Sequence, residues 1–246
     1  MLIALFADIH ANKQAFTACI AQSRDLGAAR IVLLGDYVGY GADPEWTVTT
    51  VMDLVARGAM AVRGNHDNAI GDPSEDLNIN GQIVIEWTRG ELGLLERQFL
   101  KELLLTLSED DRLYVHSDAS EPESWRYVTN IDDAARSLDA ASARVTFCGH
   151  THQPKIYTKG SSGITTAFTP IADVAVPLLP GRGWLAVIGS VGQPRDGNPA
   201  ACYALFDTER QELTYRRVPY DVDAAAAKIR GKGLPDWLAE RLFIGN

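Results

Sequence analysis

Apolar and polar positions alternate along this chain in two rhythms, and the rhythm changes near residue 153. Leu2-Ile3-Ala4-Leu5-Phe6 is a continuous apolar run closed by Asp8, which predicts a buried strand. Over residues 12–26, Ala15, Phe16, Cys19, Ile20 and Leu26 recur at helical spacing, and Gly27 supplies a stop. Ile31-Val32-Leu33-Leu34 predicts a second buried strand, closed by Gly35-Asp36. Asp43-Pro44 opens a second helix, with Asp as cap and Pro in the first turn, running to about Arg57 before Gly58. Ala59 to Val62 is a third strand ending at Gly64-Asn65. Strand–helix–strand–helix–strand is the order of parallel, right-handed crossover units.

Residues 80–105 carry a helical pattern, with Ile83, Val84 and Trp87 on one face and then Leu94, Leu95, Phe99 and Leu103, a stripe expected to pack. Leu113-Tyr114-Val115 leads to His116, and Val145-Thr146-Phe147 leads to Gly149-His150. Beyond residue 153, short strand candidates at 155–158, 164–169, 184–188, 201–206 and 212–218 are separated by Gly and Pro turns, as in an antiparallel or mixed sheet. Val222 to Leu242 reads as helical with a break near Gly231 to Pro235. With no repeat and no linker between the two textures, one α/β domain over 1–246 with two packed sheets is the expectation.

Polar chemistry gathers where the apolar runs stop. All five histidines lie in short segments beside Gly, Asp, Asn or Ser: Asp8-Ile9-His10, Gly64-Asn65-His66-Asp67, His116-Ser117 and Gly149-His150-Thr151-His152. Histidine is the commonest metal-binding side chain. In Asp8-x-His10 and His150-x-His152, alternate residues of an extended segment would point the same way. Asp36 adds a lone carboxylate and Asn65 a carbonyl oxygen. Asp8, His10, Asp36, Asn65, His116, His150 and His152 are too many for one tetrahedral ion and suit two ions sharing a carboxylate. Nitrogen and oxygen donors without thiolate favour Mn, Fe, Zn or Co. Two such ions roughly 3.5–4 Å apart clamp a phosphoryl group for in-line displacement and acidify a bound water.

The ordered set Asp8-x-His10, Gly35-Asp36-x-x-Gly39, Gly64-Asn65-His66-Asp67, His116 and Gly149-His150-x-His152 resembles the calcineurin-like metallophosphoesterase superfamily. The runs Gly35 to Pro44 and Gly189 to Gly197 are similar to its small bacterial and archaeal phosphodiesterase-like branch. The resemblance implies a four-layer α/β/β/α sandwich of two mixed sheets flanked by helices, with a dinuclear metal site at the strand ends. It implies that Asp8, His10 and His152 hold one ion, that Asn65, His116 and His150 hold the other, and that Asp36 bridges. It assigns His66 to catalysis, assisting the leaving group as a metal-bound hydroxide attacks phosphorus, with Asp67 orienting the imidazole and keeping it protonated. Asn12 and Arg195 are candidate substrate contacts with Asn65, although Asn12 serves equally well as a helix cap and Arg195 as a loop salt bridge. Arg63 is another candidate for steering phosphate, or a structural residue at a strand end. Gly39-Tyr40-Gly41 stands where protein phosphatases carry an arginine, and Ser117-Asp118 where Gly usually follows the histidine.

Composition narrows the substrate. The net charge is −9, which argues against an extended nucleic-acid surface, and no apolar run approaches the ~20 residues of a membrane span. Cys19, Cys148 and Cys202 form no disulfide framework, and Cys148 reads as a buried strand residue. The apolar start reads as a strand, not a signal peptide, so a cytoplasmic protein is expected. The expected activity is metal-dependent hydrolysis of a small phosphorylated substrate, a phosphodiester first. A dinucleoside polyphosphate hydrolase, a phosphomonoesterase or protein phosphatase, and a catalytically weak binding scaffold are the alternatives. Loops around 68–80, 117–130 and 190–200 would set the substrate; the sequence leaves the oligomeric state open.

Overall fold

Alternation along the first strand sets the layering. In β1 (Leu2–Phe6), Ile3 and Leu5 face the space between two sheets, while Ala4 and Phe6 face helices on the other side. The structure, a computed structural model, describes residues 1–72 and 79–246. The remaining elements of the first half are α1 (Lys13–Asp25), β2 (Arg30–Leu33), α2 (Pro44–Ala56), β3 (Met60–Ala61), α3 (Asn65–Gly71), α4 (Ile79–Glu91), α5 (Leu94–Glu102), β4 (Thr106–Glu109) and β5 (Arg112–Val115). Then follow α6 (Ile131–Ala140), β6 (Val145–Cys148), β7 (Lys155–Lys159), β8 (Thr165–Phe168), β9 (Ala175–Pro177), β10 (Gly183–Val187), β11 (Ala201–Asp207), β12 (Glu212–Val218), α7 (Val222–Gly231) and α8 (Asp236–Ile244).

Among the described residues the strands form two six-stranded mixed sheets, ordered β3-β2-β1-β11-β12-β9 and β4-β5-β6-β10-β7-β8. β1, β2 and β3 run parallel, as do β5, β6 and β10, so the carboxyl ends within each parallel group share one edge. Ile3, Leu5, Val32, Ala204 and Phe206 of the first sheet meet Tyr114, Val145, Phe147, Trp184 and Ala186 of the second in one buried layer. Phe147 and Phe206 touch across it with ring centroids 5.4 Å apart. On the outer face of the first sheet, Phe16 and Cys19 of α1 and Val48 and Val51 of α2 pack on Phe6 and Leu33. On the outer face of the second sheet, Ala134 and Leu138 of α6 pack on Val115, Leu185 and Val187. The result is a four-layer α/β/β/α sandwich.

Several local expectations change. The pattern over 80–105 divides into α4 and α5, and the chain then turns into β4. Leu94 and Leu95 are exposed, so the packing side of α5 is Phe99, Leu100 and Leu103. Asp43 precedes α2 but makes no side-chain cap bond; its carboxylate takes the ammonium of Lys228 at 2.8 Å. Cys148 ends β6 as a buried residue whose thiol pKa burial pushes up, an inert packing group. Part of the 68–80 loop, residues 73–78, lies outside the described residues. No helix of the described residues is long and apolar enough to cross a membrane.

Candidate metal centre

Each candidate donor sits just past a strand end. Asp8 and His10 follow β1, Asp36 follows β2, Asn65 and His66 follow β3, His116 follows β5, and His150 and His152 follow β6. All seven candidate donors are buried. The backbone there is not extended, as alternation along a strand would require. Asp8, His10, Asp36, His150 and His152 have φ of 53°, 47°, 54°, 69° and 59°, in the left-handed region. The side chains converge because tight turns aim them, at a backbone cost of order 1 kcal/mol or more per residue. Gly64 permits a close approach to Asp36. A Cβ on it would lie 2.2 Å from Asp36 Oδ1, so a side chain there would displace the central carboxylate.

The donors form two groups that share one residue. Asp8, His10, Asp36 and His152 offer ligand atoms within 4.8 Å of one another, and Asp36, His116 and His150 do the same. Asp36 Oδ2 lies 3.7 Å from His10 Nε2 and 3.4 Å from His116 Nε2, while its Oδ1 accepts the His66 backbone N–H at 2.9 Å. Asn65 Oδ1 stands 3.2 Å from His116 Nε2.

Hydrogen bonds behind the rings decide what these groups hold. His10 and His152 each donate Nδ1–H to a backbone carbonyl, of Val38 at 3.0 Å and Gln193 at 2.6 Å. Their Nε2 atoms must then carry lone pairs, yet they face each other at 3.1 Å. His116 donates Nδ1–H to Leu34 O at 2.7 Å and His150 donates Nε2–H to Trp125 O at 2.8 Å, and the remaining nitrogens oppose each other at 3.2 Å. Four imidazole lone pairs, two carboxylates and an amide oxygen thus converge. Opposed lone pairs repel unless protons or cations lie among them, so the residues fit bound divalent cations. In the cation-free protein a proton partly fills that role. Burial opposes charge on His116, but the charge of Asp36 and its hydrogen bond prevail and raise the pKa to about 9. Burial pushes His150 down to about 3 and holds His10 and His152 well below the ordinary histidine range.

A calcineurin-like phosphoesterase superfamily domain model matches residues 1–211. The chain belongs to the calcineurin-like phosphoesterase superfamily. It is 34% identical over 253 aligned positions to an uncharacterised protein of Methanocaldococcus jannaschii, covering 100% of this chain and 98% of that one. A metallophosphoesterase of Sphaerobacter thermophilus has a similar solved structure, with TM-score 0.87, 32% identity, and 100% and 99% of the two chains covered. A hypothetical protein of Pyrococcus horikoshii shares the fold at TM-score 0.79 and 18% identity, with 100% and 98% covered. Superfamily membership supports a phosphoester hydrolase and a divalent-metal site.

Against the superfamily pattern, the residues flanking the donors hold surprises. Asp67 does not reach His66. Its carboxylate accepts backbone N–H groups of Asp36 at 2.8 Å, Tyr37 at 2.9 Å and Gly64 at 3.0 Å, pinning the start of α3 to the turn after β2. His66 instead places Nε2 3.1 Å from the Tyr40 hydroxyl, and burial lowers its pKa, the reverse of the shift expected from Asp67. Asn12 is a cap and staple: Oδ1 accepts Ala15 N–H at 3.1 Å, while Nδ2 donates to Gly192 O at 2.9 Å and to the Tyr220 hydroxyl at 3.3 Å. Those bonds give Asn12 a structural role at the start of α1. Arg63 donates to Lys101 O at 2.8 Å. Arg195 lies beside the site, its guanidinium 5.6 Å over the Tyr40 ring and Nη2 donating to Gln193 Oε1 at 2.9 Å.

Ser117-Asp118 builds the loop that backs the second donor group. Buried Asp118 takes Arg136 of α6 at 2.7 Å and the Ser120 N–H at 2.9 Å, and Ser117 Oγ donates to Pro122 O at 3.2 Å. That loop carries the Trp125 carbonyl and the Tyr127 ring, which stacks on His150 with centroids 4.1 Å apart. Sequence reasoning missed the roles of Tyr40, Tyr127 and the carbonyls of Leu34, Val38, Trp125 and Gln193. Carbonyls carry no side-chain signal, and Tyr40 stands inside the Gly35–Pro44 run, where the motif gives no sign of a separate role.

Proposed function

We propose that this protein hydrolyses small phosphoesters, diesters ahead of monoesters, with two divalent transition cations held by Asp8, His10, Asp36 and His152 on one side and by Asp36, Asn65, His116 and His150 on the other. The observation that supports the reading is the convergence of opposed ring nitrogens, His10 with His152 and His116 with His150, around the Asp36 carboxylate. Bound there, the cations would supply an activated water and neutralise charge on a phosphoryl group.

The remaining work falls to this chain's own side chains. Asp36 fixes the two donor groups relative to each other. The carbonyls of Val38, Gln193, Leu34 and Trp125 hold the four rings with a lone pair facing the centre. His66, buried next to Asn65, would donate from Nε2 to the departing oxygen. Arg195 lies on the same side and would meet a phosphate oxygen. Net charge −9 and the absence of a basic groove in the sequence favour a small substrate over a polymer.

The test is reconstitution with Mn, Fe, Zn or Co, followed by assay on bis-p-nitrophenyl phosphate and p-nitrophenyl phosphate. The expected outcome is retained metal and faster turnover of the diester. Stoichiometric metal without hydrolysis of either ester would leave a binding scaffold; a faster monoester would reverse the substrate preference.

A further inference from the structure

The alignment of the His66 ring has a visible cause. Its Nδ1 is buried and has no hydrogen-bond partner among the described residues. On that side the ring lies against bare Gly39, where a Cβ would come 2.3 Å from Nδ1. Its Nε2 faces the hydroxyl of Tyr40 at 3.1 Å. Tyr40 reaches that place through a left-handed backbone, φ 64°, an unusual conformation for an aromatic residue and one found at functional sites. Its ring is fixed on two sides: His10 packs on it with centroids 4.6 Å apart, and the Arg195 guanidinium lies 5.6 Å over it. Arg195 is itself tied to Gln193, whose carbonyl holds His152.

We infer that Tyr40 is a positioning residue for the phosphoester reaction. Its hydroxyl, carried on a ring packed by His10 and Arg195, locks the His66 imidazole by pairing with Nε2 until a leaving oxygen takes that place. The assignment rests on the proposed phosphoesterase reading. The Tyr40 oxygen occupies a direction in which His66 can donate, so the ring is aligned before substrate arrives. On cleavage, His66 donates a hydrogen bond from Nε2–H to the leaving oxygen, the P–O bond to that oxygen breaks, the new bond to phosphorus comes from water, and the proton that water releases ends on the leaving oxygen. Tyr40 exchanges no proton with the substrate.

The test is Tyr40→Phe, which keeps the ring that packs on His10 and Arg195 and removes the oxygen. The metal-reconstituted variant is assayed on diaryl phosphates whose leaving phenols run from p-nitrophenol to unsubstituted phenol. A phenolate that departs unaided needs no positioned acid. The loss in kcat should therefore grow from about twofold for p-nitrophenol to about tenfold or more for phenol, with KM within about twofold of wild type. In a His66→Ala background the same substitution should cost nothing further, because Tyr40 acts through His66. Metal content by elemental analysis should match wild type, and ring-nitrogen NMR signals of His66 in the metal-free protein should move. A loss equal across the phenol series, an undiminished effect in the His66→Ala background, or unmoved His66 signals would overturn the inference while leaving the phosphoesterase reading intact. Silence of the metal-loaded wild type would instead overturn that reading, and this assignment with it.

Discussion

At the scale of single residues, Asp36 and His66 stand close together and are expected to fail in different ways. Asp36 Oδ2 belongs to both donor groups, and its Oδ1 accepts the His66 N–H. Asp36→Asn preserves shape but sets an amide among lone pairs where a charge is needed, so both ions should be lost by elemental analysis. His66→Ala removes no member of either group; it should keep both ions and lose roughly 10²–10⁴ in rate. A His66→Ala protein that emptied of metal would show that the ring is a ligand. Protons also compete with metal at His116. Its cation-free pKa, raised against burial by Asp36 to about 9, means that at pH 7 a proton must leave before a cation enters. Metal affinity should therefore rise with pH between 7 and 9, and calorimetry in buffers of different ionisation heat should show proton release on loading. The same shift sets the sign for the cation-free fold. The folded pKa lies above the unfolded value near 6.5, so His116 stabilises fully below about pH 6.5 and ceases to do so as pH rises through about 9. Pairing that strengthened with pH in chelated protein would contradict this account.

At the scale of elements, β1, β2, β5 and β6 were legible as apolar runs and the donors as Gly- and Asp-flanked stops, because burial on both sides leaves little choice of residue. What failed was local geometry. Alternation between Asp8 and His10 requires strand beyond Phe6, whereas the chain has turned left-handed by then. β4, β9 and α6 went unread for physical reasons. β4 is only half buried, β9 has three residues and ends in proline at a sheet edge, and α6 presents little beyond Ala134 and Leu138 to the core. The role of Asp67 is not legible in the sequence because its partners are backbone amides, which leave no mark in a residue pattern. The least legible element, the 117–128 loop, makes a sharp prediction. Asp118 is buried against Arg136 and the Ser120 N–H, and the loop it anchors delivers the Trp125 carbonyl to His150. Asp118→Ala should leave every donor in place yet weaken metal binding about tenfold or more, as loss of an outer support does. Metal titration of the folded variant measures it; unchanged affinity would show that the loop is not what orients His150.

At the scale of the whole molecule, the donor groups straddle the seam between sheets. Asp8, His10, Asp36 and Asn65 extend from the first sheet; His116, His150 and His152 extend from the second. His152 of one sheet closes the group of Asp8 and His10 from the other, and Asp36 reaches across to His116. Cations in both groups would tie the sheets together at one edge, while the layer of Phe147, Phe206, Trp184 and Leu5 holds them by apolar burial over the rest of their width. That core does not depend on metal, so chelated protein should keep its far-ultraviolet circular dichroism, unlike a small domain that folds only on its metal. Loading should still stabilise, because metal binds the native chain and the donors disperse on unfolding. At a free metal concentration of about 100 Kd the gain is about 2.7 kcal/mol per ion. For a chain of 246 residues, at roughly 2–4 °C per kcal/mol, that is a rise in Tm of about 5–10 °C for each ion. Asp36→Asn should abolish this increment and, near pH 7, melt below chelated wild type, since it removes both the shared ligand and the charge that pairs with His116 but not the apolar layer. Wild-type Tm independent of metal concentration would mean that no cation bridges the seam; a variant that still gained the full increment would mean that Asp36 does not bridge the two groups.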